Sequence, residues 1–236
     1  MANYPKEIFK AYDVRGIVGK TLTPEIVEAI GHAIGSEAVK REQRAIAIGR
    51  DGRLSGPDLA AALARGIQKA GIDVVDVGRV ATPMLYFAAY HLGINSGVMV
   101  TGSHNPPEYN GLKMLLGSET LAGEAIQDLL RRLENDDLTH GEGSYREYDI
   151  VEEYLERIVG DIQLQKPLSV VVDCGNGVAG AFAPVLYRRL NCKVRELFCD
   201  VDGTFPNHHP DPSQPKNLQD VIHALASTDA EIGLAF

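Results

Sequence analysis

Ala45-Ile46-Ala47-Ile48-Gly49, an Ala/Leu-rich run over 57–70, and Ile72-Asp73-Val74-Val75-Asp76-Val77 follow one another in the chain. The first and third are short apolar runs of strand length, and the second spaces its apolar residues as a helix does, with Ser55 just upstream. Two strands joined through a helix need a crossover connection, which sets them parallel in one sheet. The same alternation extends both ways. Upstream, Thr23-Pro24 supplies a cap and first helical position for a helix to Lys40, with Ile26, Val27, Ile30, Ile34 and Ala38 at helical spacing. Downstream, Thr82-Pro83 opens a helix through His91, and a strand at 97–101, another at 111–115 and a helix at 123–133 follow. The pattern predicts an α/β fold of mixed, mostly parallel sheets with helices on both faces.

From 134 to 149 the chain becomes acidic and glycine-containing, with Asn135-Asp136-Asp137 and Gly141-Glu142-Gly143-Ser144, as domain boundaries do. We expect a hinge near 145 that separates a domain at 1–146 from one at 147–236. The second part reads as a further α/β unit: helix 151–158, strand 168–173, helix 178–190, strand 193–199, a Pro-rich loop over 205–215, helix 218–226 and strand 230–236. No short-period repeat or low-complexity tract interrupts this order.

The 236 residues carry 23 Lys+Arg against 32 Asp+Glu, a formal charge of −9. That balance argues against a broad basic face for nucleic acid and leaves room for a local anion pocket. The start, Met1-Ala2-Asn3-Tyr4-Pro5, has no apolar segment of signal-peptide type, and no run approaches the ~18 apolar residues of a membrane span. The expected compartment is the cytoplasm, with no membrane and no nucleic-acid partner; the oligomeric state is not readable. Cys174, Cys192 and Cys199 are odd in number and lack Cys-x-x-Cys spacing, so they read as reduced, buried thiols rather than a disulfide framework or a zinc site.

Chemistry concentrates in Val100-Thr101-Gly102-Ser103-His104-Asn105-Pro106-Pro107-Glu108-Tyr109-Asn110-Gly111-Leu112-Lys113. A strand here delivers a small polar loop at its carboxyl end, where ligands of open α/β sheets gather. Ser103 is placed for a nucleophile, His104 for handling protons or phosphate oxygens, and the prolines stiffen the loop. An Asn-Pro turn with a capping serine accounts for the same residues. The Gly-x-Ser-x-Gly elbow of hydrolases is not present, because Thr101 and Asn105 stand where its glycines would be, so acyl transfer is not supported. Phosphoryl transfer needs positioned cations, for which Arg15, Arg50, Arg53 and Lys113 are candidates; an ordinary surface ion pair explains any one of them alone.

The stretch Thr101-Gly102-Ser103-His104-Asn105-Pro106-Pro107 through Lys113 resembles the active-site serine signature of the α-D-phosphohexomutases, in the phosphomannomutase/phosphoglucomutase form. Other landmarks agree in order: Ala11-Tyr12-Asp13-Val14-Arg15-Gly16, Gly49-Arg50-Asp51-Gly52-Arg53, Val171 to Gly180, and Phe205-Pro206-Asn207-His208-His209-Pro210-Asp211-Pro212. The resemblance runs from end to end and implies two tandem similar domains, the second truncated. It implies that Ser103 is phosphorylated, lies near a magnesium ion, and passes its phosphoryl group to a hexose 1- or 6-phosphate. A hexose 1,6-bisphosphate then turns over and returns the other phosphoryl group to Ser103. Tyr12, Arg15, Asn105 and Lys113 are implied as phosphate and substrate ligands, and Ser103, His104, Lys113 and Arg15 as catalytic. Gly102 and the Asn-His-His-Pro-Asp-Pro loop favour the mannose/glucose branch.

Relative to the family's pattern, the chain stops at Gly233-Leu234-Ala235-Phe236, just before the position of the Asp-Gly-Asp-Gly-Asp-Arg metal loop. Only Ser103 is left as a metal ligand, and this chain alone is expected to lack turnover. A non-catalytic phosphosugar-binding module is the second reading. A third comes from Gly175-Asn176-Gly177-Val178-Ala179-Gly180, a literal Gly-x-Gly-x-x-Gly after a strand, with Glu196 near the place of a ribose-binding acid. Asp173 and Asn176 crowd that turn. The tandem His208-His209, followed by Asp211, lacks a spaced third metal ligand.

Overall fold

The computed structural model describes residues 4–236. The chain divides into two compact units, one ending at Ile150 and the other running from Val151 to Phe236.

The first unit contains, in order, β1 (Val14–Ile17), α1 (Pro24–Lys40), β2 (Ala45–Arg50), α2 (Gly56–Lys69), β3 (Asp73–Arg79), α3 (Thr82–His91), β4 (Gly97–Val100), β5 (Tyr109–Leu116), β6 (Glu119–Thr120), α4 (Glu124–Glu134) and β7 (Tyr145–Glu147). The strand order is β1-β5-β4-β2-β3-β7, with β6 on β5. β4, β2, β3 and β7 run parallel. β5 is antiparallel to β4 and β1, so the sheet is mixed. Strand alternation assigns the two faces. Ile46, Ile48, Val98, Val100, Leu112 and Met114 pack with Val27, Ile30 and Ile34 of α1, Leu59 and Leu63 of α2 and Leu129 of α4. The intervening residues serve the other face, where a Cβ on Gly49 or Gly97 would touch Leu85 of α3. Most of these side chains are wholly buried, each worth about 1.5–3 kcal/mol relative to exposure.

The second unit contains α5 (Val151–Asp161), β8 (Ser169–Asp173), α6 (Ala183–Arg189), β9 (Lys193–Leu197), α7 (Gln219–Ala226) and β10 (Ile232–Ala235). Its sheet, β10-β8-β9, is wholly parallel. Val170 and Val172 face Ala183, Leu186 and Leu190, while Val171 faces Val221 and Ala224 of α7. Helices therefore cover both faces here too. The apolar investment is smaller, and Ile232 of β10 remains 41% exposed.

Several local expectations are corrected. The stretch expected to hold a hinge near 145 instead forms β7, an edge strand paired with β3. The helix expected over 178–190 breaks into a 3-10 turn at Val178–Ala181 and a short α6, because Pro184 favours a new helix start. The strand expected to run to 199 ends at Leu197, where Phe198 takes left-handed backbone (φ 50°). Cys174 and Cys192 are buried as expected, but Cys199 is only half-buried. The sequence reading passed over β1, β6 and β7, all short.

Candidate functional site

The loop from Thr101 to Glu108 leaves the carboxyl end of β4 and returns along β5. Its entry is fixed by Asp51, which follows β2. One carboxylate oxygen of Asp51 accepts from the Thr101 hydroxyl at 2.7 Å and the Gly102 N–H at 3.1 Å; the other accepts the Arg53 N–H at 3.0 Å. The Thr101 Oγ1 in turn accepts the Ser103 N–H at 2.9 Å. Asp51 thus acts on Ser103 through one hydroxyl. Ser103 itself is exposed and left-handed, φ 50°, a conformation that a serine holds only when its surroundings fix it.

The far side of the loop is fixed by Arg53, which is 3% exposed. Its Nη1 donates to the carbonyls of Pro106 (2.7 Å) and Tyr109 (3.0 Å), and its Nη2 to those of Ser103 (2.9 Å) and Asn105 (2.6 Å). The Nε lies 3.4 Å from Asp51. Burial pushes the Arg53 guanidinium below its ordinary pKa, Asp51 draws it back, and Arg15 adds like-charge repulsion. Gly102 is required by this packing, because a Cβ there would stand 2.1 Å from the Arg53 Nε.

This overturns the reading of Arg53 as an anion ligand: its donors are committed to loop carbonyls. Arg50 is also turned elsewhere. Its Nη1 is the nearest group to the place of a Gly78 Cβ, at 4.0 Å, on the β3 side of β2. Arg15 and Lys113, by contrast, come together at Asp13. Arg15 on β1 pairs with Gly111 on β5, and Lys113 is two residues further along the same face. Arg15 donates through Nη1 to the Gly102 carbonyl and through Nη2 to Asp13, whose carboxylate is 3.6 Å from the Lys113 Nζ. The Arg15 side chain is 10% exposed, yet its Nε has no partner among the described residues. Gly111 makes room for it, since a Cβ there would approach that Nε to 2.8 Å. Tyr12 is 77% exposed, His104 is exposed and Asn105 half-buried. Asp13, Asp51, Thr101 and Gly111 were not singled out from sequence; the Asp-Gly-Arg spacing at 51–53 was the available signal.

Among the described residues no group of three or more His, Cys, Asp or Glu is arranged to hold a metal ion. Ser103 alone does not make a magnesium site. The tandem histidines are used otherwise: His208 Nε2 lies 3.1 Å from both oxygens of buried Asp173, and its Nδ1 lies 3.0 Å from the His209 carbonyl. The glycine motif at 175–180 does not form a dinucleotide site. A Cβ at Gly175 would meet His208 and Pro210 at 3.0–3.2 Å, so the turn is covered where a pyrophosphate would lie. A 3-10 turn, not an α-helix N-terminus, follows it.

Comparison with known proteins agrees with this geometry. Residues 6–139 match the family model of phosphoglucomutase/phosphomannomutase α/β/α domain I, and residues 152–236 match domain II. The phosphoglucomutase of Neisseria meningitidis serogroup B is 60% identical over all of this chain and 52% of its own length. The phosphomannomutase/phosphoglucomutase of Pseudomonas aeruginosa is 54% identical over 98% of this chain and 50% of its own. A solved Burkholderia thailandensis structure, titled as a phosphoglucomutase/phosphomannomutase family protein, superposes with a TM-score of 0.97 at 53% identity, covering 99% of this chain and 53% of that one. The chain spans about half the length of the curated relatives it matches. With two family domains matched in order and the serine loop built as described, the chain belongs to the phosphoglucomutase/phosphomannomutase family.

Proposed function

We propose that the whole protein is a phosphohexomutase that interconverts hexose 1-phosphate and hexose 6-phosphate, and that Ser103 carries the transferred phosphoryl group. The observation that supports this best is the fixation of an exposed, left-handed Ser103 by Asp51 and Arg53, beside an Arg15 with one buried N–H that has no partner among the described residues. Phosphoryl transfer depends chiefly on positioning and on charge placed where the phosphoryl oxygens will be. In this reading the phosphoryl group leaves the Ser103 Oγ for a sugar hydroxyl, whose proton passes to His104, with Lys113 assisting as a positioned cation. Arg15, Lys113, Tyr12 and Asn105 hold phosphate oxygens, and a hexose 1,6-bisphosphate reorients before returning its other phosphoryl group to Ser103.

Magnesium would lower the negative charge on the transferring group; its carboxylate ligands would come from outside the described residues, and no step is assigned to it. The two domains, 1–146 and 147–236 in this proposal, supply the serine loop and part of the fold, and the 236-residue chain alone gives no appreciable turnover. The cytoplasm is the compartment this reading takes; separately, no helix among the described residues is long and apolar enough to cross a membrane.

The test is the intact mass of the full-length protein together with its conversion of mannose or glucose 1-phosphate. One covalent phosphate is expected, and Ser103→Ala removes both that phosphate and turnover. A phosphate retained in the Ser103→Ala protein would assign the phosphoenzyme to another residue. Phosphosugar binding with no phosphoenzyme at all would favour the non-catalytic module.

A further inference from the structure

One pair of side chains remote in sequence from the serine loop has chemistry that the proposed reaction does not use. β8 and β9 are parallel neighbours with Asp173 opposite Leu197, so the residues that follow leave the sheet side by side. Cys174 comes next on one strand, its N–H held by the Leu197 carbonyl at 3.1 Å. On the other, the left-handed turn at Phe198 brings the Cys199 Sγ to 3.6 Å from the Val172 carbonyl and 3.5 Å from the Cys174 Sγ. Cys174 is buried and Cys199 half-buried, so the two thiols differ in access while their sulfurs touch.

We propose that Cys174 and Cys199 form a reversible dithiol/disulfide site that reacts with small peroxides, Cys199 attacking and Cys174 resolving. The two sulfurs, 3.5 Å apart, need to close by about 1.5 Å to reach the ~2.05 Å of a disulfide. The order of attack follows from exposure and from the proton between the sulfurs. The contact with Cys174 holds Cys199 below the ordinary thiol pKa, while the same contact, and then burial, push Cys174 up. The nucleophile is the thiolate, so Cys199 reacts first.

The chemistry closes as follows. The Cys199 thiolate attacks one peroxide oxygen and breaks the O–O bond, giving a sulfenic acid and releasing the other oxygen as water or an alcohol. The Cys174 sulfur then attacks the sulfenic sulfur, the S–O bond breaks, and hydroxide leaves with the Cys174 proton as water. Two thiols lose two electrons and the peroxide gains them; a dithiol reductant reverses the bond.

Cys192 supplies an internal control. It precedes β9 while Cys199 follows it, which separates them by roughly 20 Å at ~3.3 Å per residue. The bond itself would tie β8 to β9 beneath Gly175-Asn176-Gly177, whose Asn176 already binds the Phe198 and Asp200 carbonyls.

The experiment exposes the folded chain to hydrogen peroxide without denaturant, caps remaining thiols with an alkylating reagent, and maps peptides without reduction. The expected result is the loss of two hydrogen atoms and one cross-linked peptide pair containing Cys174 and Cys199, with Cys192 still alkylated and the pair released by dithiothreitol. Cys192→Ser retains the cross-link, and Cys199→Ser and Cys174→Ser each abolish it. Cross-links through Cys192, overoxidation of Cys199 in the wild-type chain without any cross-link, or reaction only after unfolding would each overturn the proposal. The wild-type map decides even if a serine variant folds poorly.

Discussion

Two loops at the carboxyl ends of central parallel strands are built on the same plan with different nitrogen partners for the carboxylate. After β4, the Thr101–Glu108 loop is fixed by the Asp51 carboxylate and by Arg53, which gives four N–H···O bonds to loop carbonyls. After β8, the Cys174–Gly177 turn is fixed by the Asp173 carboxylate, which accepts the Gly175 N–H at 3.0 Å and faces a ring N of His208. A guanidinium can hold several carbonyls in one plane at once; an imidazole can only bridge two partners. The first loop is therefore held in detail, as a loop carrying an exposed left-handed serine needs to be. In the second, Asp173 and His208 supply two points, and the remaining bonds come from Asn176 to the Phe198 and Asp200 carbonyls.

The sharpest way to break this comparison is Arg53→Ala. It removes all four donors and leaves the carbonyls and Asp51 without their buried cation, so unit 1 is expected to lose about 3–5 kcal/mol in denaturant unfolding. Amides 102–109 should also lose protection from hydrogen exchange; unchanged protection would show that the prolines alone hold the loop. Gly102→Ala is next. With Arg53 in place the added methyl has no room, and a loss of about 1–3 kcal/mol is expected by the same measurement. In unit 2, Asp173→Asn keeps the shape and removes the charge, with an expected cost near 1.5 kcal/mol and faster exchange over 205–211. A cost equal to that of Arg53→Ala would erase the distinction between the loops.

The smallest effect concerns β7, the edge of the first sheet. The Tyr145 hydroxyl donates to Asp76 at 2.9 Å, and burial, then Asp76, push its pKa up to about 12. The folded form retains the proton more tightly than the unfolded chain. Tyr145 thus contributes its stabilisation below pH 10 and loses it as pH rises toward 12, and Tyr145→Phe should flatten that part of the stability–pH curve.

The alternation of strands and helices was legible in sequence because the long elements have strong periods: α1, α2, β2 and β3 lie within a few residues of their expected places. β1 and β7 were missed because four- and three-residue strands carry too little period and owe their existence to the partners β5 and β3. The site was legible in part. Ser103, Arg15 and Lys113 announced themselves by type and company. Arg53 was misread because a cation flanked by glycine looks alike in sequence whether it will meet a phosphate or a row of carbonyls; only the path of 102–109 around its guanidinium distinguishes them.

The fit of Gly102 against Arg53 also limits the order in which the sequence can change. A Cβ at 102 and a guanidinium at 53 exclude each other, so the two positions form one epistatic pair. An alanine at 102 requires the arginine to retract or be replaced, through an intermediate whose serine loop is loosely held. Where that intermediate is not viable, glycine is retained by its neighbour and not by the reaction.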